Sequence, residues 1–415
     1  MNKEGKIKIG EHIRIVPGFP FNSRLFNTEG EGLPLIRIRD LLKSKIETYF
    51  NGEYTYDFII SEGDILIGMD GDFHIVRWSN KKKALLNQRI MKVAQKEGAL
   101  IDINYFYYFL FPLLKKVWDR TTATTVKHLS TYDISEAFEI FPSVPEQRQI
   151  ATILSTADSV IEKTQASIAK YKAIKQGLLQ DLFTRGIDAT TGKLRPSYQD
   201  APELYKESKL GWIPKEWLNI PRLGDQINIL PGFPFNSRMF NSEGVGLPLI
   251  RIRDLLKSKI ETFFEGEYPV EYLINEGDIL IGMDGDFHIV KWNNKKSALL
   301  NQRIMKVSQK HNSLVDINYF YFFLFSFLKD IWEKTTATTV KHLSTYDISE
   351  ANLFFPTVTE QKLVAERLNS LNQKLQSEQD FLHKQQQIKA GLMNDLLSRK
   401  KKVEIKEELE TQTRN

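Results

Sequence analysis

The segment Gly68–His74, GMDGDFH, sets two carboxylates and an imidazole at alternate positions, and the same seven residues return at Gly282–His288. Side chains two apart share one face of a strand. In that conformation Asp70, Asp72 and His74, with their counterparts Asp284, Asp286 and His288, could hold a divalent metal. A metal-dependent nuclease is the activity such a set would support. A competing reading makes Asp-Gly a type I′ hairpin turn between the apolar runs DILIGM and FHIVRW. The acidic pair then stands at a loop tip, where a carboxylate accepts a hydrogen bond from a cytosine amino group. The turn is the expected form.

Three further segments carry groups suited to DNA. TTATTVKHLS (Thr121–Ser130) offers hydroxyls at Thr122, Thr124 and Thr125, a charge at Lys127 and a ring donor at His128, able to meet phosphates or base edges. Its second copy supplies Thr336, Thr338, Thr339, Lys341 and His342. A turn-rich surface loop is the competing explanation. VRWSNKKKA sets Arg77, Lys81, Lys82 and Lys83 beside Trp78, the first three mirrored by Lys291, Lys295 and Lys296. Such a run is either a solvated face or a phosphate contact. PGFPFNSR (Pro17–Arg24) ends in Asn22, Ser23 and Arg24, mirrored by Asn236, Ser237 and Arg238, and its phenylalanines are expected to pack inward.

Other chemistries find no support. GIDATTGKL at Gly186 has five residues between its glycines, one more than a phosphate-binding loop, and Leu194 stands where Ser or Thr would hold magnesium. There is no Gly-x-Gly-x-x-Gly and no Pro-Pro dipeptide, so the Asn/Asp-Pro-Pro-aromatic motif of adenine methyltransferases is missing. With no cysteine, disulfides and thiolate metal sites are excluded. Catalysis by this chain alone is not expected.

These segments are positioned by a unit that occurs twice. From about Gly10 to Arg185 the chain realigns without a gap on Gly224 to Arg399, an offset of 214 residues. Stacked repeats have far shorter periods and more copies. The first part of each unit reads as mixed α/β, with β-rich runs such as LPLIRI broken by Gly, Asn and Asp, and INYFYYFLFPLLKKVWD is a buried-helix candidate. Past Glu146 and Glu360 identity collapses, but apolar residues keep heptad spacing: Ile150, Leu154, Ala157, Ile161, and in the second copy Val364, Leu368, Leu371, Leu375. Each predicted helix is roughly 57 Å long at 1.5 Å per residue. Neither could stand with an exposed apolar stripe. Pairing with each other is the economical arrangement; a bundle with a partner's helix is the alternative.

The expected architecture is two globular mixed α/β (α+β) domains separated by two long helices that form a coiled coil. The expected bounds are 1–145 and 223–359 for the domains, 146–185 and 360–400 for the helices, 186–222 for a connector and 401–415 for a charged tail. Within the connector, GWIPKEW is expected to dock through its two tryptophans. A length of 415 residues fits two or three domains, and a net charge of +5 is compatible with nucleic acid. The charged start has no apolar core and the most apolar run is too short for a bilayer, so a soluble cytoplasmic protein is expected.

At these residues the chain resembles the specificity (S) subunit of type I restriction–modification systems, over nearly its whole length. The marks are FPSVPEQRQIATILSTAD and FPTVTEQKLVAERLNSLN entering the helices, IKQGLLQDLFTRGI and IKAGLMNDLLSRK closing them, and GWIPKEW opening the second half. LPLIRIRD, GDILIGMDGDF and LLNQRIMKV resemble blocks of the family's target-recognition domains. The resemblance implies two such domains, each reading half of a split double-stranded DNA site, and a spacer made by the two helices paired as an antiparallel coiled coil. It implies a non-catalytic chain that binds no cofactor itself. Two modification (M) subunits would bring S-adenosylmethionine, and restriction (R) subunits, where present, ATP and Mg. One departure is that no counterpart of GWIPKEW precedes Gly10; the charged tail is a candidate to take its place. Because the two domains are nearly alike, the expected target is palindromic, with a spacer of roughly 5–8 base pairs.

Overall fold

A computed structural model describes residues 5–43, 46–120, 127–208, 211–257, 260–334 and 341–403. The chain divides into two compact units. Unit 1 takes Met1–Ala166 with Asp380–Asn415, and unit 2 takes Ser167–Gln379.

Unit 1 is built on a four-stranded antiparallel sheet in the order Ile13–Pro17, Ile90–Gln95, Ile65–Gly68, Ile75–Arg77. A five-stranded sheet runs Phe26–Asn27, Tyr49–Phe50, Leu33–Ile36, Ala84–Leu86, Ile59–Ile60, with its third and fourth strands parallel. Strand Ile65–Gly68 is buried on both faces, which explains its unbroken apolar sequence. Ile65 and Ile67 face one core with Tyr105, Phe106 and Leu110 of the helix Ile103–Arg120. Leu66 joins a second core with Ile36, Ile60 and Leu86. Gly18 lets the first strand pass close to the next loop, since a Cβ there would lie 2.0 Å from the Asn87 carbonyl oxygen.

Unit 2 repeats both sheets strand for strand, with helix Ile317–Lys334 in the place of Ile103–Arg120. It adds a hairpin, Tyr205–Ser208 with Gly211–Pro214, while its pair Leu218–Ile220 with Leu353–Phe355 answers Ile7–Lys8 with Phe138–Glu139 of unit 1. Trp217 is buried, while Trp212 is 46% exposed and stacks on Tyr198 at 4.3 Å. Only one of the two tryptophans therefore anchors the connector in the core.

The long helices span Val144–Thr184 and Val358–Leu397. Each is stapled at its start by a fully buried glutamine. Gln147 Nε2 donates to the carbonyls of Leu100 and Pro142, and its Oε1 accepts from the N–H of Asp102. Gln361 makes the same three bonds to Leu314, Pro356 and Asp316. Within unit 1, Ile150 and Leu154 share a core with Leu396, and further along Asp158 pairs with Lys389. Moving up one helix moves down the other, so they run antiparallel there. Unit 2 has the same sense: Leu182 packs with Val364 and Leu368, and Lys374 lies over the Tyr171 ring. The heptad seam is thus satisfied by the chain's own second helix. Among the described residues no helix is long and apolar enough to cross a membrane.

Candidate nucleic-acid interface

Strands Ile65–Gly68 and Ile75–Arg77 form the expected hairpin, but its loop is longer than a two-residue turn. Gly68 N–H donates to the His74 carbonyl, enclosing Met69–Phe73. Both Gly71 and Phe73 take positive φ, 73° and 49°. Backbone bonds then tie this loop to two other segments. Met69 N–H donates to the Arg89 carbonyl, Gly71 N–H to that of Lys127, and Leu129 N–H to that of Met69. Three stretches far apart in sequence are thereby held side by side.

Asp70 is the hub of that junction. Its Oδ1 lies 2.7 Å from His128 Nδ1, and its Oδ2 accepts from Arg89 Nη1 at 2.9 Å. Unit 2 reproduces both contacts: Asp284 Oδ1 is 2.7 Å from His342 Nδ1, and Oδ2 is 3.1 Å from Arg303 Nη1. About half of the His128 side chain and more than half of the Arg89 side chain remain exposed. The carboxylate is therefore enclosed between two donors that reach toward solvent. With Nδ1–H given to Asp70, the other ring nitrogen of a neutral His128 is an acceptor; protonated, it is a donor.

The remaining candidates separate into several places. Asp72 and His74 line an open pocket with Phe111, Lys115 and Trp118, apart from Asp70's contacts, and Asp286 and His288 do the same in unit 2. Among the described residues no three His, Cys, Asp or Glu side chains converge to hold a metal. Lys127 folds back over the Trp118 ring at 3.2 Å and donates to the Trp118 carbonyl; Lys341 does the same on Trp332. Arg77 is half-buried against the aromatic helix, bonded to Asn104 at 3.1 Å with its guanidinium 4.6 Å from the Tyr107 ring centre. Lys291 likewise donates to Asn318.

Lys81, Lys82, Lys295 and Lys296 are exposed in a loop. Asn22 caps a short turn by accepting from the Arg24 N–H, and Asn236 does so for Arg238. Ser23, Arg24, Ser237 and Arg238 are exposed there. Of the neighbouring phenylalanines, Phe21 is buried but Phe19 is 44% exposed. Thr122, Thr124, Thr125, Thr336, Thr338 and Thr339 lie outside the described residues.

Arg89 and Arg303 were not among the residues singled out from sequence. The available signal was a lone arginine in the short Asn-Gln-Arg link between two strands, kept in both copies of LLNQRIMKV.

Comparison with known proteins agrees with this organisation. The sequence model of the family described as "Type I restriction modification DNA specificity domain" matches residues 5–171 and again 214–390. The type I restriction enzyme EcoBI specificity subunit of Escherichia coli is 26% identical over 88% of this chain and 78% of its own length. The MjaVIII specificity subunit of Methanocaldococcus jannaschii is 25% identical over 96% of this chain and 92% of its own. Among solved structures, the type I restriction–modification S subunit from M. genitalium superposes with a TM-score of 0.62 at 18% identity, covering 94% of this chain and 95% of that one.

Proposed function

The chain belongs to the type I restriction–modification DNA-specificity family, whose specificity subunit is itself non-catalytic, and on that premise we propose that its two units read the two halves of one split duplex site. Each unit reads with the surface around the Asp70 or Asp284 junction. His128 and His342 offer ring nitrogens to base edges, while Lys81, Lys82, Lys295 and Lys296 supply phosphate contacts. Asn22, Ser23, Arg24 and their counterparts Asn236, Ser237 and Arg238 extend the surface. Two modification subunits carrying S-adenosylmethionine act on the DNA so positioned; restriction subunits, where the system has them, bring ATP and Mg.

The observation that carries this reading is the sameness of the two junctions. Both pair one carboxylate with one arginine and one histidine, and the corresponding distances differ by no more than 0.2 Å. Like readers recognise like half-sites. Two like readers on a duplex meet matching half-sites on opposite strands when a two-fold axis relates them. The target is therefore an inverted repeat, with a spacer of roughly 5–8 base pairs if the half-site centres lie about one helical turn apart.

The test is binding of the purified chain to duplex DNA, alone and with its modification subunit. Salt-sensitive binding that the modification subunit sharpens toward particular sequences is expected. Binding that ignores sequence in both conditions would remove the proposal.

A further inference from the structure

Arg89 and Arg303 hold an uncommon backbone conformation, with φ of 71° and 74°. For a residue with a Cβ this left-handed region costs on the order of 1–3 kcal/mol, and glycine or asparagine adopts it more readily. The conformation by itself therefore does not call for arginine. The side chain packs into no core: 59% of it is exposed in Arg89 and 60% in Arg303. Among the described residues its partner is a single carboxylate: Nη1 of Arg89 reaches one oxygen of Asp70, and Nη1 of Arg303 both oxygens of Asp284 at 3.1 and 3.4 Å. A guanidinium carries five N–H donors in a planar fork. Among the described residues Arg89 spends one nitrogen on the carboxylate and makes no other side-chain bond, so the rest of the fork faces outward.

The carboxylate contributes in two ways. Fixing one nitrogen removes rotameric freedom that a solvent-exposed arginine would otherwise lose on binding. Placing a negative charge behind the guanidinium also weakens its attraction for phosphate, while leaving directional donors for a neutral acceptor pair. The O6 and N7 atoms of guanine in the major groove are such a pair, matched by a bidentate arginine. We infer that Arg89 and Arg303 are specificity-determining residues, each reading one guanine in its half-site, with Asp70 and Asp284 as their positioning residues.

This rests on the reading of the chain as a DNA-specificity subunit. The experiment selects bound sequences from a randomised duplex library, using the full chain complexed with its modification subunits. The variants are R89K, R303K and the double R89K/R303K, each retaining charge but losing the fork. In the wild type one G·C pair per half-site is invariant. R89K relaxes that pair in one half-site and R303K in the other, by about 5- to 150-fold in preference. The double variant relaxes both, and all other positions keep their preference. Asp70→Asn loosens the same pair as R89K and, at that base pair, adds nothing further in the R89K background, the non-additivity expected of one coupled pair.

Equal loss of affinity for every sequence, with the preference at each position unchanged, would identify phosphate contacts and overturn the assignment. So would a selected site that R89K/R303K leaves unchanged. A wild-type complex with no preferred sequence would overturn the underlying function as well.

Discussion

Glu360 and Glu146 occupy the same position of the repeated unit, each in the first turn of a long helix, yet their surroundings differ. Glu360 is 1% exposed and holds Arg195 in a two-pronged pair, Nη1–Oε1 at 2.5 Å and Nη2–Oε2 at 2.9 Å. Its Oε1 also accepts from the Ile187 N–H at 2.7 Å. Glu146 is half-buried and makes no side-chain ion pair among the described residues.

Replacing each by alanine removes the same favourable charge from a helix N-terminus, worth about 0.3–1 kcal/mol in both cases. Only Glu360→Ala also strands a buried guanidinium and a buried backbone N–H. Breaking a buried pair costs about 3–5 kcal/mol, and Glu216, which touches Arg195 at 2.7 Å but is mostly exposed, offsets little of it. In a unit of about 200 residues each kcal/mol lowers Tm by roughly 2–4 °C, so the expected loss is about 6–20 °C. Scanning calorimetry gives the total. Hydrogen exchange of peptides covering 353–370 and 139–156 locates it. Because the cost comes from removing one partner, an R195M/E360M double variant is expected to be less destabilised than E360A. Equal losses for E360A and E146A would refute the reasoning, since the buried pair would then contribute nothing.

Inserting seven residues in register into both long helices adds about 10 Å, hence about three base pairs of spacer at 3.4 Å each; selection from a library of spacer lengths should shift by that amount, and an unchanged optimum would mean the helices do not set the distance. In unit 1 Asp158 accepts from the Tyr108 hydroxyl at 2.7 Å and pairs with Lys389, whereas the corresponding residues of unit 2 are Asn372, Phe322 and Lys175. Burial holds the Lys175 ammonium below the usual lysine range, so the unfolded chain binds the proton more tightly and unit 2 gains stability as pH rises from that lowered pKa toward 10.5. N372D should remove this alkaline gain and add on the order of 1 kcal/mol near neutral pH; a melting curve unaltered at either pH would show that the two side chains do not interact.

The architecture was legible in sequence where it is written in local periodicity. The heptad spacing from Ile150 and Val364 and the hairpin around Asp70 follow from residues close together in the chain, and the 214-residue repeat from laying one half of the sequence on the other. Contacts between distant residues were not legible. Asp70 meets His128 across 58 positions, and Glu360 meets Arg195 across 165. No local pattern marks either pair. Arg77 carries the right charge for DNA but is engaged by Tyr107 and Asn104, whereas the left-handed backbone of Arg89 leaves no trace in composition. Phe19 was expected inside, but only its neighbour Phe21 is covered by Phe50.

The central claim is that two near-identical units read two copies of one half-site. Its most direct test is a genome-wide methylation map of cells that carry this chain with its modification subunit, compared with cells lacking the chain. The expected result is a chain-dependent motif of two short, inverted, matching half-sites separated by roughly 5–8 base pairs. A motif of two unrelated half-sites would contradict it, because the substitutions between the copies would then have to lie at the base contacts.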